Sequence, residues 1–180
     1  AEFHHRQSGH RRRFSKGGFL MKRTLVFPGT FDPFTVGHDS LVRRALTFAD
    51  EVVIAIVPNS EKHFLLSAEE RQTLIQDYYK DEPRVKVMVY EGLTTDLCEQ
   101  IGATAILRGV RSVKDLEYEE MLADGYRRLS GIETVVLFTE PQYASISSTL
   151  VREMIKYGKS LEGLVPFEFH SKNIIHHSKI

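Results

Sequence analysis

The sequence contains one cysteine and no tryptophan, and no apolar run in it approaches the length of a membrane span. A single cysteine, Cys98, excludes an intrachain disulfide, which favours a reducing compartment. Because a transmembrane helix needs about 20 consecutive apolar residues, the sequence predicts a soluble, cytoplasmic protein without a membrane partner. Cys98 lies in a short apolar segment, and we interpret it as a buried structural thiol rather than a nucleophile.

Net charge is also absent, since 24 Lys and Arg residues balance 24 Asp and Glu residues. This balance predicts no nucleic-acid partner. Residues 1–20 are nevertheless rich in His and Arg, and we interpret them as a non-native leader outside the fold. A nucleic-acid-binding arm is the less favoured alternative. We expect one domain over residues 21–170, followed by a polar tail at 171–180.

Several common catalytic patterns are missing. The sequence has no Walker-type Gly-Lys-Ser/Thr, no Ser–His–acid order and no zinc-ligand spacing. His170, His176 and His177 lie in the polar tail, where chance or a helix end explains them better than metal binding. Any catalytic function of this chain must therefore depend on other motifs.

Apolar runs and helical patterns alternate along the chain, and 42% of its 180 residues are hydrophobic. This predicts an α/β fold, a single Rossmann-like, doubly wound domain with a five-stranded parallel sheet. The predicted strands are 24–27, 51–57, 84–89, 105–107 and 133–139. The predicted helices are 39–48, 67–79, 94–101, 115–129 and 148–157. Ligands bind such sheets beyond the carboxyl ends of the strands, where we expect loops 28–38, 58–66, 90–94, 108–115 and 140–148 to meet.

Some helix ends carry explicit signals. Ser67 and Glu70 have the spacing of a capping box, in which each side chain pairs with the other residue's backbone N–H. Gly102 and Gly158 stand where a left-handed C-terminal cap is expected.

The most informative segment runs from Phe27 to His38, where an apolar strand leads through a Gly/Pro-rich turn into a helix. Gly37 has no side chain, so a phosphate can approach the backbone closely. The helix N-terminus provides free N–H groups and a positive dipole end. His38 adds a donor that can follow charge as it develops on the phosphate. The segment therefore favours nucleotide chemistry.

A second cluster, from Arg108 to Arg111, follows the fourth predicted strand directly. Two arginines on either side of a glycine can converge on phosphates through bidentate contacts. We favour this function over a structural salt bridge. The acids that follow, Asp115 and Glu117, are predicted only to stabilise the start of a helix.

Two weaker signals complete the candidate site. The hydroxyl-rich segment from Tyr143 to Thr149 is typical of a helix N-cap, and it could also accommodate a triphosphate tail. Lys62 follows the second strand, where it is either a surface lysine or a mobile cation that closes over a phosphate.

Together these motifs resemble those of the bacterial phosphopantetheine adenylyltransferase family, in the nucleotidyltransferase superfamily that has a Thr/His-x-Gly-His motif. The similar segments are Pro28–Pro33 with Thr35–His38, Arg108–Arg111 with Asp115–Glu119, and Ile146–Glu153. The resemblance covers residues 21 to 169. It implies transfer of the adenylyl group of ATP to 4′-phosphopantetheine, which gives dephospho-coenzyme A and pyrophosphate in coenzyme A biosynthesis. It also implies Mg²⁺ as cofactor and a homohexamer.

The resemblance further implies roles for individual residues. His38 would stabilise the transition state, with Lys62, Arg108 and Mg²⁺ supplying further positive charge. The phosphopantetheine site would be lined by Thr30, Lys62, Thr94 and Arg108. The ATP site would consist of Thr30, Phe31, His38, Gly109, Val110, Arg111, Glu119, Tyr143, Ala144, Ser145, Ile146, Ser147, Ser148 and Thr149. Mg²⁺ would be held through substrate phosphates and water, without a protein side-chain ligand.

The mechanism expected on this basis is a direct in-line attack without a covalent intermediate, because the phosphate of 4′-phosphopantetheine is already anionic. Two alternatives stay open. A nicotinamide mononucleotide adenylyltransferase would share the turn and the hydroxyl-rich motif, but such enzymes usually have histidine where this chain has Thr35. A non-catalytic sensor of a nucleotide or coenzyme A would bind ATP without releasing pyrophosphate.

Overall fold

Strands and helices alternate along the chain in a computed structural model that describes residues 21–58 and 64–169. The strands are β1 (Thr24–Gly29), β2 (Glu51–Ile56), β3 (Val85–Val89), β4 (Ala105–Val110) and β5 (Glu133–Phe138). The helices are α1 (Val36–Ala45), α2 (Ala68–Tyr78), α3 (Thr94–Ile101), α4 (Val113–Ser130) and α5 (Ser148–Lys156). A short 3-10 turn at Pro141–Tyr143 precedes α5. Within the described ranges, no helix combines the length and the apolar character that crossing a membrane requires.

All five strands are parallel, in the order β3-β2-β1-β4-β5. The predicted five-stranded, doubly wound sheet is thus confirmed. The chain builds outward from β1 to β3 and then crosses back to place β4 on the other side of β1. The strand order reverses between β1 and β4, and at such a point the connections diverge and leave a crevice.

Apolar side chains cover both faces of the sheet, as the near-continuous apolar strands predict. On one face, Leu25 and Phe27 of β1 belong to the same buried cluster as residues of α1 and α2. On the other face, Val26 is buried with Leu97 and Cys98 of α3. Cys98 is 2% exposed, and burial raises the pKa of its thiol to about 11. The predicted burial of this thiol is confirmed.

The largest differences from the predicted element bounds, three residues each, concern helix α1 and strand β4. Helix α1 begins at Val36 rather than near residue 39, because Thr35 is its N-cap and closes the first turn on His38. Strand β4 continues to Val110 rather than ending at residue 107, because Arg108–Val110 pair with Val136–Phe138 of β5. Arg108 and Gly109 therefore lie in a strand, where the sequence predicts a loop.

The predicted caps are confirmed. Ser67 Oγ accepts from Glu70 N at 3.1 Å, and a Glu70 carboxylate oxygen accepts from Ser67 N at 2.7 Å. Gly102 and Gly158 both have positive φ, 64° and 62°. These left-handed positions favour glycine, which has no side chain to clash with the backbone.

Candidate active site

A cavity of about 510 Å³ lies at the carboxyl ends of β1 and β4, where the strand order reverses. The turn after β1 and the N-terminus of α1 form one wall. The end of β4 and the start of α4 form the second, and the N-terminal part of α5 forms the third. Of the five loops expected to meet here, 28–38, 58–66, 108–115 and 140–148 contribute residues, whereas 90–94, which the structure describes in full, contributes none.

The structure brings together most of the residues that the sequence predicts for the site. Those that line the cavity are Thr30, Phe31, His38, Arg108, Gly109, Arg111, Glu119, Tyr143, Ile146, Ser147, Ser148 and Thr149. Co-location shows that they can act on one ligand. Their individual roles stay predictions.

Five predicted residues are not among those lining the cavity. Val110 is 2% exposed and packs inside β4. Ala144 and Ser145 are exposed next to the cavity wall, and Thr94 begins α3 after the edge strand β3. Lys62 lies outside the described residues.

His38 lies in the first turn of α1 and lines the cavity. Its Nδ1 accepts a hydrogen bond from Thr35 N at 3.0 Å. The rings of Phe27, Phe31 and Phe34 surround the imidazole, with centroids 6.1, 5.1 and 5.3 Å away. Burial, assisted by the charge of Arg111, lowers the pKa of His38 to about 4. The ring is therefore neutral near pH 7, where the sequence predicts that it supplies positive charge.

The turn after β1 has a backbone conformation that its side chains maintain. Phe31 has φ of 49°, a left-handed value that is rare for a bulky residue. Its ring covers Gly29, where an added Cβ would lie 2.7 Å from Phe31 Cζ. Gly29 is required because only a residue without a side chain leaves room for this ring.

Buried polar groups fasten the same turn to the segment before α2. The Asp32 carboxylate accepts from Leu65 N at 2.8 Å and from Leu66 N at 3.0 Å. The buried Arg71 of α2 donates to the carbonyl oxygens of Thr30 and Leu66. Arg71 is 2% exposed, so these carbonyls depend on it rather than on water.

Arg108 forms a bidentate ion pair with Glu119 of α4, with Nε–Oε2 and Nη2–Oε1 distances of 2.6 and 2.7 Å. A third bond joins Nη1 to the carbonyl oxygen of Pro28 at 3.1 Å. Burial lowers the pKa of Arg108, but the hydrogen bonds that it donates to Glu119 raise the pKa, and the net shift is upward. Arg108 thus makes the structural salt bridge that the sequence ranks second, and its partner is itself a predicted ATP contact.

Arg111 follows the last residue of β4 and lines the same wall of the cavity. The carboxylate of Asp115 accepts from Arg111 N at 3.1 Å and from its Nε at 3.4 Å. Asp115 also lines the cavity, so it does more than stabilise the start of a helix, the only function that the sequence predicts for it.

Arg152 is absent from the residues that the sequence predicts for the site, yet it lines the cavity from α5. Its guanidinium donates to Asp32 O at 2.7 Å and to Thr149 Oγ1 at 3.1 Å. Ser148 Oγ donates to Pro33 O at 2.9 Å, so α5 is joined to the turn after β1. The signal available in the sequence is the spacing of Ser148 and Arg152, since residues four apart share one face of a helix.

The charged groups of the cavity suit a polyphosphate ligand better than a metal ion bound by protein side chains alone. Arginines 108, 111 and 152 all line it, together with the N-terminal turns of α1 and α5. Among the residues that the structure describes, no group of three His, Cys, Asp or Glu side chains could hold a metal ion. Of the three described acids that line the cavity, Asp115 and Glu119 each accept from an arginine, and Asp32 accepts from two backbone N–H groups. This donor set fits a magnesium ion that is coordinated mainly by ligand phosphates and water.

The chain is similar to known nucleotidyltransferases over most of its length. The family model described as cytidylyltransferase-like matches residues 26–154. A phosphopantetheine adenylyltransferase of Bacteroides thetaiotaomicron is 52% identical over 144 residues, which are 80% of this chain and 95% of that protein. The enzyme of the same name from Porphyromonas gingivalis is 48% identical over 150 residues, 83% of this chain and 98% of that protein.

One solved structure, from Vibrio parahaemolyticus, supports the fold alone. It is described as a nicotinate-nucleotide adenylyltransferase and is 18% identical, with a TM-score of 0.54. The match covers 82% of this chain and 95% of the Vibrio chain.

Proposed function

Because this chain belongs to the phosphopantetheine adenylyltransferase family, we propose that it transfers the adenylyl group of ATP to 4′-phosphopantetheine. The products are dephospho-coenzyme A and pyrophosphate, so the reaction is a step of coenzyme A biosynthesis. The observation that carries this proposal is the position of His38 in a cavity with three arginines and the N-terminal turns of two helices. Such a site can bring two phosphorylated substrates together and offset their repulsion.

The reaction requires no general base. The acceptor phosphate is already anionic, and its oxygen attacks the α-phosphorus of ATP while pyrophosphate leaves on the opposite side. The chain supplies positioning and charge stabilisation, as in other phosphoryl transfers. His38 is neutral and acts as a hydrogen-bond donor to the α-phosphate, whose negative charge increases in the transition state.

The two substrates occupy different walls of the cavity in this proposal. ATP contacts Gly109, Arg111 and the segment from Tyr143 to Thr149, and Arg152 faces the departing pyrophosphate. The acceptor contacts Thr30 and Arg108, with Lys62 and Thr94 completing its site. These assignments are supported by the position of the residues in one cavity. The support does not extend to Lys62, Thr94, Ala144 and Ser145, which are not among the residues lining it.

Mg²⁺ would be held through the ATP phosphates and water in this proposal. When bound, it would neutralise phosphate charge and so favour the departure of pyrophosphate. Among the described residues, Asp115 and Glu119 are the acids of the second wall, and each already accepts from an arginine. The chain therefore contributes cations and backbone donors around the phosphates rather than a dedicated set of metal ligands.

The protein is further proposed to act as a homohexamer in the bacterial cytoplasm. Support for self-association comes from α4, an 18-residue helix of which Glu119 alone is buried. Val113, Met121 and Leu129 of this helix are 74%, 61% and 69% exposed, and Phe138 at the end of β5 is 65% exposed. So many exposed large apolar side chains are typical of an interface. Six-fold assembly and the compartment rest on the family resemblance.

Pyrophosphate release with ATP and Mg²⁺ tests the acceptor, when 4′-phosphopantetheine and nicotinamide mononucleotide are supplied in parallel reactions. Release with 4′-phosphopantetheine alone supports the proposal. Release only with the mononucleotide would keep the reaction type but overturn the acceptor. ATP binding without release in either reaction would favour the sensor alternative.

A further inference from the structure

We infer that Thr35 is a positioning residue for this reaction, because it holds His38 in the tautomer whose proton is on Nε2 and sets where that N–H points. The inference rests on the proposed function, in which the His38 ring donates to the reacting phosphate. Thr35 itself acts only through His38.

The hydrogen bonds around Nδ1 determine the tautomer. Thr35 N lies 3.0 Å from His38 Nδ1, and Thr35 Oγ1 lies 3.1 Å from the same atom. A backbone N–H can only donate, so Nδ1 must present its lone pair. In a neutral imidazole the proton is then on Nε2, which becomes the donor.

Among the residues that the structure describes, a proton on Nδ1 could be donated only to Thr35 Oγ1, and it would leave the Thr35 N–H without its acceptor. Thr35 is 1% exposed, so water does not replace its contacts. In the imidazolium form an Nδ1–H would face the Thr35 N–H, and one buried donor would lose its partner. Over the described part of the chain, the hydrogen bonds of the His38 ring involve Nδ1 and Thr35. Nε2 is therefore available to a ligand in the cavity that His38 lines.

The backbone and side chain of Thr35 have separable functions. The backbone N–H sets the tautomer, whichever side chain is present. The hydroxyl accepts from His38 N at 3.4 Å and so closes the first turn of α1. Loss of the hydroxyl should loosen this turn and displace the ring, without removing the backbone donor that fixes the proton.

Nitrogen NMR of the full-length protein, labelled with ¹⁵N in its histidine rings, tests the tautomer without any substrate. At neutral pH we expect His38 Nδ1 to resonate as an unprotonated nitrogen and Nε2 as a protonated one. A protonated Nδ1, or an equal mixture of tautomers, would overturn the inference. Because no reaction is involved, this result is independent of the acceptor.

Kinetics of Thr35→Val and Thr35→Ser test the positioning function. Partners that orient ligand histidines in metal sites cost roughly 10- to 100-fold when removed, and we expect a fall in kcat of that size for Thr35→Val with little change in the KM for ATP. Thr35→Ser keeps the hydroxyl and should retain near-normal kcat. Wild-type kcat in Thr35→Val, or an equal loss in Thr35→Ser, would contradict the inference.

Ser67→Ala is the matched control for helix capping. Ser67 is the N-cap of α2 and also forms a capping box, but with Glu70 instead of a histidine. The Ser67→Ala variant should lose about as much thermal stability as Thr35→Val and keep nearly the wild-type kcat. An equal loss of kcat in Ser67→Ala would show that Thr35 acts only as a helix cap. If the wild-type protein uses another acceptor, the proposed function fails, while the comparison of variants with that acceptor still tests Thr35.

Discussion

Glu119 accepts two hydrogen bonds from Arg108, at 2.6 and 2.7 Å, where β4 enters the cavity. The Glu119 side chain is 8% exposed and that of Arg108 is 20% exposed. Removal of one member of a buried ion pair is far more costly than removal of both, because the remaining charge stays buried without a partner. The pair therefore orients the Arg108 guanidinium and balances its charge.

Arg108→Ala should lower the free energy of unfolding by about 3 kcal/mol, since it leaves the Glu119 carboxylate buried and unpaired. Arg108→Ala/Glu119→Ala should recover most of that loss. If Arg108 also contacts the acceptor, the KM for 4′-phosphopantetheine should stay raised in the double variant. Urea denaturation and steady-state kinetics measure the two effects. Recovery of both in the double variant would show that Arg108 has a structural function alone.

The ring of His38 should titrate far below an ordinary histidine, at a pKa of about 4, because burial disfavours the imidazolium. Its neutral form then predominates down to about pH 5 and is lost only as the pH falls further. The unfolded chain binds this proton at higher pH, so folding stability should decrease as the pH falls from the ordinary histidine pKa toward 4. NMR titration of the ring measures the pKa directly.

Arg111→Ala should raise the pKa of His38, because the charge of Arg111 also disfavours the imidazolium. Arg128→Ala serves as the control, since Arg128 forms an exposed ion pair with Asp124 on another part of α4. A wild-type pKa near the ordinary histidine value would contradict the account of His38 as a neutral donor.

Gly29→Ala should disturb the site through Phe31. The new Cβ would lie 2.7 Å from Phe31 Cζ, so the ring must move, and this ring packs 5.1 Å from the His38 ring. Overpacking of this kind costs about 1–3 kcal/mol, and kcat should fall as the His38 ring loses its support. Thermal denaturation and kinetics together measure the effect.

Gly125→Ala is the corresponding control within α4. An added Cβ at Gly125 meets no atom within 4 Å, and alanine favours a helix over glycine by roughly 1 kcal/mol. This variant should be more stable than the wild type and equally active. A loss of activity in Gly29→Ala no greater than in Gly125→Ala would remove the argument for Phe31.

Arg71→Met should destabilise the protein, because the carbonyls of Thr30 and Leu66 would lose their buried donor. Each unpaired buried group costs about 1–3 kcal/mol. Arg71→Lys keeps a positive charge and one donor, and it should lose less stability. Denaturation by urea ranks the variants, and equal stability of Arg71→Met and wild type would contradict the proposed anchoring.

The sheet and its helices could be predicted because their signals are local. Apolar strands, the Ser67–Glu70 capping box and the glycine caps each depend on residues that are close in sequence. The location of the cavity also followed, since parallel strands bring the connecting loops to one edge. The longer β4 could not be predicted from its own residues. Its last three residues are strand because β5 provides backbone partners.

The side-chain contacts inside the site could not be predicted from the sequence. Arg108 and Glu119 are 11 residues apart and belong to different elements, so their contact depends on how α4 packs on β4. The low pKa of His38 likewise depends on ring packing that no spacing reveals. For Asp115, the sequence predicts only that it stabilises the start of a helix, so its contact with Arg111 was not expected. The functions of Lys62 and Thr94 stay predictions.

Transfer of label from ATP tests the central claim most directly. The full-length protein is incubated with Mg²⁺, 4′-phosphopantetheine and ATP labelled at the α-phosphate, with His38→Ala as the disabled control. We expect the label to appear in dephospho-coenzyme A and not on the protein. One pyrophosphate should be released for each labelled product. Loss of the His38 donor should slow the transfer roughly 100- to 1000-fold. Label found in AMP or on the protein, or equal rates in both proteins, would contradict the account.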